Sequence, residues 1–192
     1  GGARVLQLQS ILAPRVYSFC ARIPLSHAFG KPALTGTGRQ MATARELGIV
    51  FEGLLPGPLN AITDVADISV GHHTIFADGL ATGVTAILPH PADPFRLKPR
   101  AAIDVINGFG KSAGLMQVAE LGTLETPILL TNTFGVAACT QALIDRAIAA
   151  NPAIGRATST VNPVVFECND GRINDIQTMA VTPQHAVAVS YT

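Results

Sequence analysis

From Arg45 onward the chain alternates short apolar runs with glycine, proline and asparagine. Val65 to Val70, Val84 to Leu88, Ala101 to Ile106, Pro127 to Leu130, Pro163 to Cys168 and Ala186 to Tyr191 are each of strand length and rich in aliphatic residues. Runs of this kind bounded by turn formers predict β-strands. Two stretches follow a different period. Between Val136 and Ala150, Val136, Cys139, Leu143, Ile144, Ala147 and Ile148 recur at helical spacing, while Thr140, Gln141, Asp145 and Arg146 take the remaining face. Asn151 and Pro152 end that helix. A second helix is predicted from Ser112, which can cap it, to Leu121, with Gly122 as a C-terminal stop. Helices lying between β-runs predict an α/β layered domain.

Composition adjusts this picture in three places. A chain of 192 residues suits one domain. Hydrophobic residues make up 48% and charged residues 14%, with mean hydropathy +0.36, so much apolar surface must be buried, part of it against material outside the chain. No apolar run approaches the roughly 18 residues of a membrane span. The first 44 residues carry Arg4, Arg15, Arg22, Lys31 and Arg39 with no acid, and the remainder is correspondingly acidic, so no basic surface points to a nucleic-acid partner. Residues 1–43 read as an extension, either an organelle-targeting segment or non-native sequence ahead of Met41, and residues 44–192 as the domain proper. Cys20, Cys139 and Cys168 are odd in number with no CxxC spacing, which supports free thiols in a reducing compartment such as the cytoplasm.

Several motifs are candidates for chemistry. Gly108-Phe109-Gly110-Lys111-Ser112 lies between a β-run and a helix, but the position where a phosphate-binding loop needs its first glycine is Val105. The glycine-rich turn can still bring backbone close to a ligand, which makes Asn107 and Lys111 candidate substrate-binding residues beside the purely structural reading. His72 and His73 are neighbours on a β-run and point to opposite faces, so they do not readily share a metal. His27, His90 and His185 are isolated, and no GxSxG elbow accompanies them. Asn107, Asn132, Asn169 and Asn174 all fall at the ends of β-runs or just beyond, where an amide either satisfies a turn or faces a ligand.

Ordered blocks then narrow the function. Ala44-Arg45-Glu46-Leu47-Gly48, Phe51-Glu52-Gly53, the segment from Pro56 to Thr74 (PGPLNAITDVADISVGHHT), TGVTAILP from Thr82, INGFGKSAG from Ile106, TPILLTNTFGV from Thr126 and NPVVFECNDGRINDI from Asn162 resemble, in the same order, the P1 (DmpA-like) family of N-terminal-nucleophile aminopeptidases and amidases. The resemblance implies a four-layer αββα sandwich, incomplete in this chain. It implies a precursor that cleaves itself ahead of a serine, which then attacks an amide or ester carbonyl through an acyl-enzyme with no metal or organic cofactor. That serine is expected beyond Thr192, in a C-terminal β-subunit from the same precursor. Ile173-Asn174-Asp175 matches the motif whose asparagine donates to the oxyanion, so Asn174 is the candidate catalytic residue. Lys111 departs from the acid that the resemblance leads one to expect after the Asn-Gly-x-Gly turn. Either Glu120 or Glu125 substitutes for it, or the substrate is not a free amine. The implied partners are a small peptide, amide or ester and further copies of the processed protein, with neither nucleic acid nor membrane. The rival reading is a truncated homologue that serves as a non-catalytic structural or binding subunit.

Overall fold

The structure, a computed structural model, describes residues 6–7, 45–49, 53 and 55–189. Strands β1 (Leu6–Gln7) and β4 (Ala101–Ala102) form a small parallel ladder. The main sheet has the order β2-β3-β5-β6, from β2 (Ser69–Ala77), β3 (Leu80–Leu88), β5 (Ile128–Thr131) and β6 (Val164–Glu167). Strands β2 and β3 turn back on each other across Asp78-Gly79, with Ala77 opposite Leu80. An Asp-Gly pair suits such a two-residue hairpin, and Gly79 supplies a left-handed φ of 77°. Strand β5 runs antiparallel to β3 and parallel to β6. Among the described residues three α-helices complete the fold: α1 (Leu115–Leu121), α2 (Val136–Ala150) and α3 (Pro183–Val189).

The two-residue period of the strands sorts side chains into two cores. On one face Val84, Ala86, Leu129 and Val165 meet Cys139, Ala142 and Leu143 of α2 and Ala186 and Val189 of α3. On the other, Ile87, Ile128 and Val164 pack with Ile68, Ala101, Val118 and Leu124. Each large aliphatic side chain buried this way contributes about 1.5–3 kcal/mol. Because α2 connects two parallel neighbours, it must cross the sheet, and its apolar stripe is what holds it there. Among the described residues no helix is long and apolar enough to cross a membrane.

Helix α2 has the bounds expected from its spacing, and β3, β5 and β6 contain or overlap the runs expected of them. Four expectations need correction. The run Val65 to Val70 is extended only from Ser69. Before it, the Asp64 carboxylate accepts the N–H groups of Leu59 and Ala61 at 2.8 and 3.1 Å, which holds residues 59–64 in a turn and short 3-10 helix. Of Ala101 to Ile106 only the first two residues pair. Ser112 does not cap α1, because Ala113 exchanges both backbone hydrogen bonds with Val165 (2.9 and 3.2 Å), so the helix starts only at Leu115. Gly114 makes the switch at φ 83°, where a Cβ would run into the Pro163 carbonyl oxygen. Ala186 to Val189 is helix, not strand: Pro183 takes the first helical position, and Ala186 and Val189, three apart, face the core. Residues 1–43 apart from 6–7, with Cys20 and His27, lie outside the described residues, as do Ser190 to Thr192.

Candidate functional site

Parallel pairing brings the carboxyl ends of β5 and β6 side by side, with Thr131 opposite Glu167. The open end of a parallel pair is where an α/β sheet offers loops to a ligand. Here those loops are 132–135, 168–175 and, from earlier in the chain, 107–112. The β2-β3 hairpin tip lies at the same end, because β3 runs antiparallel to β5.

The turn after β5 is built by Asn132, which is buried. Its Oδ1 accepts the Gly135 N–H at 2.7 Å and its Nδ2 donates to Thr82 Oγ1 at 2.9 Å, tying the turn to the start of β3. The next residue, Thr133, donates its hydroxyl to Glu167 Oε2 at 2.5 Å. Glu167 Oε1 accepts the backbone N–H of Lys111 at 3.0 Å. The last residue of β6 thus ties the 107–111 loop to the turn after β5.

Within that loop Asn107 folds an Asx-type turn, its Oδ1 accepting the Phe109 N–H at 3.0 Å. The Lys111 ammonium turns back on the loop. It donates to the Phe109 carbonyl at 2.6 Å and stands 3.5 Å from the centre of the Phe109 ring. Phe109 is 80% exposed and Phe134 52% exposed, one on each of the two segments that Glu167 ties together.

Beyond β6, the Ile173 and Asn174 N–H groups both bond the Asp170 carbonyl (2.9 and 3.0 Å), and the Asp175 N–H bonds the Gly79 carbonyl at 2.9 Å. Asn174 is only 5% exposed. Its Oδ1 accepts the Ala81 N–H at 3.2 Å and its Nδ2 donates to Asp170 Oδ1 at 3.1 Å. Asn174 is therefore anchored at β3 and Lys111 at β6, on strands with β5 between them. Asn107, Lys111 and Asn174 share this end, and the turn after β5 is tied to β3 through Asn132 and to Glu167 through Thr133.

Other candidates lie elsewhere. Glu125 sits before β5, at the opposite end of that strand, buried against Lys98 at 2.6 Å and the Asn162 N–H at 2.8 Å, and Glu120 is exposed on α1. Neither reaches the 107–111 loop. His72 bonds Thr85 Oγ1 at 2.8 Å, while His73 stacks on His185 of α3 with ring centres 4.8 Å apart. Among the described residues no group of three or more His, Cys, Asp or Glu gathers as a metal site. Burial pushes the Cys139 thiol up to about 11, against a weaker opposing hydrogen bond from Thr131, so it carries no thiolate near neutral pH. Sequence reasoning missed Glu167 and Thr133. The signal for Glu167 was an acid closing an otherwise apolar strand.

Comparison with known proteins identifies the family and the fold. The sequence model of peptidase family S58 matches residues 60–191. The β-peptidyl aminopeptidase BapA of Sphingosinicella xenopeptidilytica is 41% identical over 155 residues, covering 76% of this chain and 38% of that protein. The PH0078 protein of Pyrococcus horikoshii superposes with a TM-score of 0.73 at 42% identity, covering 78% of this chain and 45% of the other. The L-aminopeptidase D-Ala-esterase/amidase of Ochrobactrum anthropi, a serine aminopeptidase with a variant of the N-terminal-nucleophile hydrolase fold, superposes at 0.63 with 30% identity over 77% of this chain and 43% of its own. The chain thus spans less than half the length of each of these relatives. Its fold is of the N-terminal-nucleophile hydrolase type, and the chain belongs to peptidase family S58.

Proposed function

We propose that the full-length protein is a self-processing serine aminopeptidase or amidase that releases N-terminal residues from small peptides, amides or esters. The observation that carries this reading is the state of Asn174. Its side chain is fixed by Ala81 and Asp170, and one of the two Nδ2 hydrogens remains beyond those bonds. An oxyanion donor works because it is oriented before charge develops, so that no reorganisation accompanies the reaction. The nucleophile is the new N-terminal serine of a C-terminal β-subunit, whose α-amine takes up the hydroxyl proton as the oxygen attacks. The tetrahedral oxygen bears its charge toward Asn174, the amine or alcohol leaves with a proton, and water then hydrolyses the acyl-enzyme.

On the sheet face away from α2, Leu130 and Phe166 stay only partly buried at the site end, which fits a second sheet layered there from the same precursor. The surplus of apolar residues fits further association of processed copies. Asn107 shapes the substrate-facing loop, and Lys111 contributes its backbone N–H to the same wall. The relatives' activities, β-peptidyl aminopeptidase and L-aminopeptidase with D-Ala esterase/amidase, set the substrate class in this reading.

The test is an intact-mass spectrum of the complete open reading frame expressed in a reducing host. Two fragments are expected, the smaller beginning with Ser or Thr. A single uncut chain, inert toward amino-acid amides, favours the non-catalytic scaffold instead.

A further inference from the structure

Asn107 is the only asparagine of the chain followed by glycine. The pairing matters chemically, because the backbone nitrogen of the next residue can attack an asparagine's own side-chain amide, and glycine alone puts no Cβ in the way of that ring closure. Both residues are exposed, and an added Cβ at Gly108 would meet nothing within 4 Å, so the turn is uncrowded and open to water.

The fold also prepares the amide for attack. The Phe109 N–H donates to Asn107 Oδ1 at 3.0 Å, which folds the side-chain amide back over the Gly108 peptide. That oxygen is the atom that becomes negative when a nucleophile adds to Cγ, so a donor already in place there stabilises the tetrahedral intermediate. At the far end of the loop, Glu167 holds the Lys111 N–H at 3.0 Å, so the turn is formed before any reaction begins.

Each of the other asparagines lacks part of this arrangement. Asn169 makes the same turn, its Oδ1 accepting the Gly171 N–H at 2.9 Å, but the nitrogen that would attack belongs to Asp170, which carries a Cβ and a carboxylate engaged by Asn174. Asn60 precedes Ala61, whose N–H is taken by Asp64 at 3.1 Å. Asn151 and Asn162 precede prolines, whose nitrogens have no proton to lose. Asn132 and Asn174 are buried with both ends of the amide bonded.

We infer that Asn107-Gly108 is a self-modification site. The Gly108 nitrogen gives its proton to hydroxide and bonds to Asn107 Cγ. The Cγ–Nδ2 bond then breaks, and the leaving nitrogen takes a proton from water to depart as ammonia, regenerating hydroxide. Water opens the resulting succinimide at either carbonyl, leaving aspartate or isoaspartate at 107. The product adds a carboxylate to the loop that carries the Lys111 ammonium, and isoaspartate also lengthens that loop's backbone. The modification is independent of the hydrolase reading above, and only its effect on substrate binding rests on it.

The test is peptide mapping of the full-length protein held folded in mildly alkaline buffer. Trypsin, cutting after Arg100 and Lys111, releases Ala101–Lys111 with Asn107 inside it, and mass spectrometry follows the change from amide to acid. A synthetic peptide of the same residues is the unstructured reference. Because the turn and its donor are in place, the folded protein should convert faster than the peptide or within about threefold of it, a barrier difference of no more than about RT. A slower folded rate than that overturns the proposal. Gly108→Ala, whose Cβ enters open space, should slow conversion about fivefold by restricting the backbone, and an unchanged rate overturns the assignment. Acid appearing as fast at Asn169, in the tryptic peptide Ala157–Arg172, overturns it too, since the glycine would then not select the site. The comparison of wild-type protein with its own peptide decides the proposal even if the alanine variant fails to fold.

Discussion

Two glutamates bracket the parallel pair β5/β6. Glu125, just before β5, is 7% exposed and is spent on the fold: Lys98 donates to one oxygen at 2.6 Å and the Asn162 N–H to the other at 2.8 Å. Glu167, at the end of β6, also accepts two hydrogen bonds, but both come from neutral groups. The difference lies in the surroundings rather than the residue type. Before β5 the ammonium of Lys98 reaches in from the surface to the buried carboxylate. At the carboxyl end Lys111 has its ammonium folded back on its own loop. One glutamate is thus paired with a cation, while the other, among the described residues, is held by neutral donors alone.

The sharpest break of this comparison is Asn174→Ala in the full-length protein. It leaves the Glu125 end untouched and removes the fixed amide from the other. Loss of an oxyanion donor lowers kcat by about 100-fold to 1,000-fold. Stability should fall by only about 1–2 kcal/mol, because the Ala81 N–H loses its acceptor. Steady-state kinetics beside a thermal melt separates the two. A drop in melting temperature without a drop in kcat would mean that Asn174 serves only the turn.

The opposite profile is expected at the other end. Lys98→Met leaves Glu125 buried without its cation. Loss of a fully buried partner costs about 3–5 kcal/mol, and Lys98 is itself 37% exposed, so about 2 kcal/mol is expected, with kcat/KM within about threefold of the wild type. The pH dependence adds a second readout. Burial by itself raises the Glu125 pKa, but the Lys98 hydrogen bond, the Asn162 N–H, the Lys98 charge and Gln117 together hold it below the ordinary carboxylate value. A depressed folded pKa contributes stability above the unfolded value of about 4.3, and that contribution is lost as pH falls through the folded one. Denaturant midpoints measured from pH 6 to pH 3 should fall in the wild type and fall less steeply in Lys98→Met, where burial alone remains to act on Glu125.

The same contrast explains what the sequence made legible. Helix α2 was readable to its bounds, because Cys139, Leu143 and Ala147 make a stripe whose period no strand shares. Strands β5 and β6 were readable within a residue or two at each end as aliphatic runs after proline. Ala186 to Val189 was not, since a short run of Ala and Val fits either period, and the deciding sign was Pro183 at the helix start. The Asp78-Gly79 hairpin carried its signal in the dipeptide and was passed over. Ser112 failed as a cap for a reason no local pattern contains, the pairing of Ala113 with Val165 more than fifty residues away. At the site, asparagines at strand ends could be singled out, but which acid faces the 107–111 loop depends on strand order. Sequence offered Glu120 and Glu125, while the fold puts Glu167 there.

The smallest effect concerns Lys111, and its sign decides between two accounts of the open end. The Lys111 ammonium is exposed and bound to Phe109, on the loop whose backbone is tied to Glu167. If the substrate brings a free ammonium to this end, Lys111 opposes it across solvent, an interaction of the size of an exposed charge pair, about 0.2–1 kcal/mol. Lys111→Gln then raises kcat/KM for the β-alanine p-nitroanilide about twofold to fivefold at low ionic strength. The gain shrinks toward nothing at about 1 M salt, where the screening length falls to about 3 Å. If the branch instead takes substrates bearing a carboxylate, the same substitution lowers kcat/KM for those substrates and leaves the amine compound unimproved. Measuring both substrate types at both salt concentrations separates the accounts, because a lysine that serves only to fold its own loop shifts both substrates alike and is indifferent to salt.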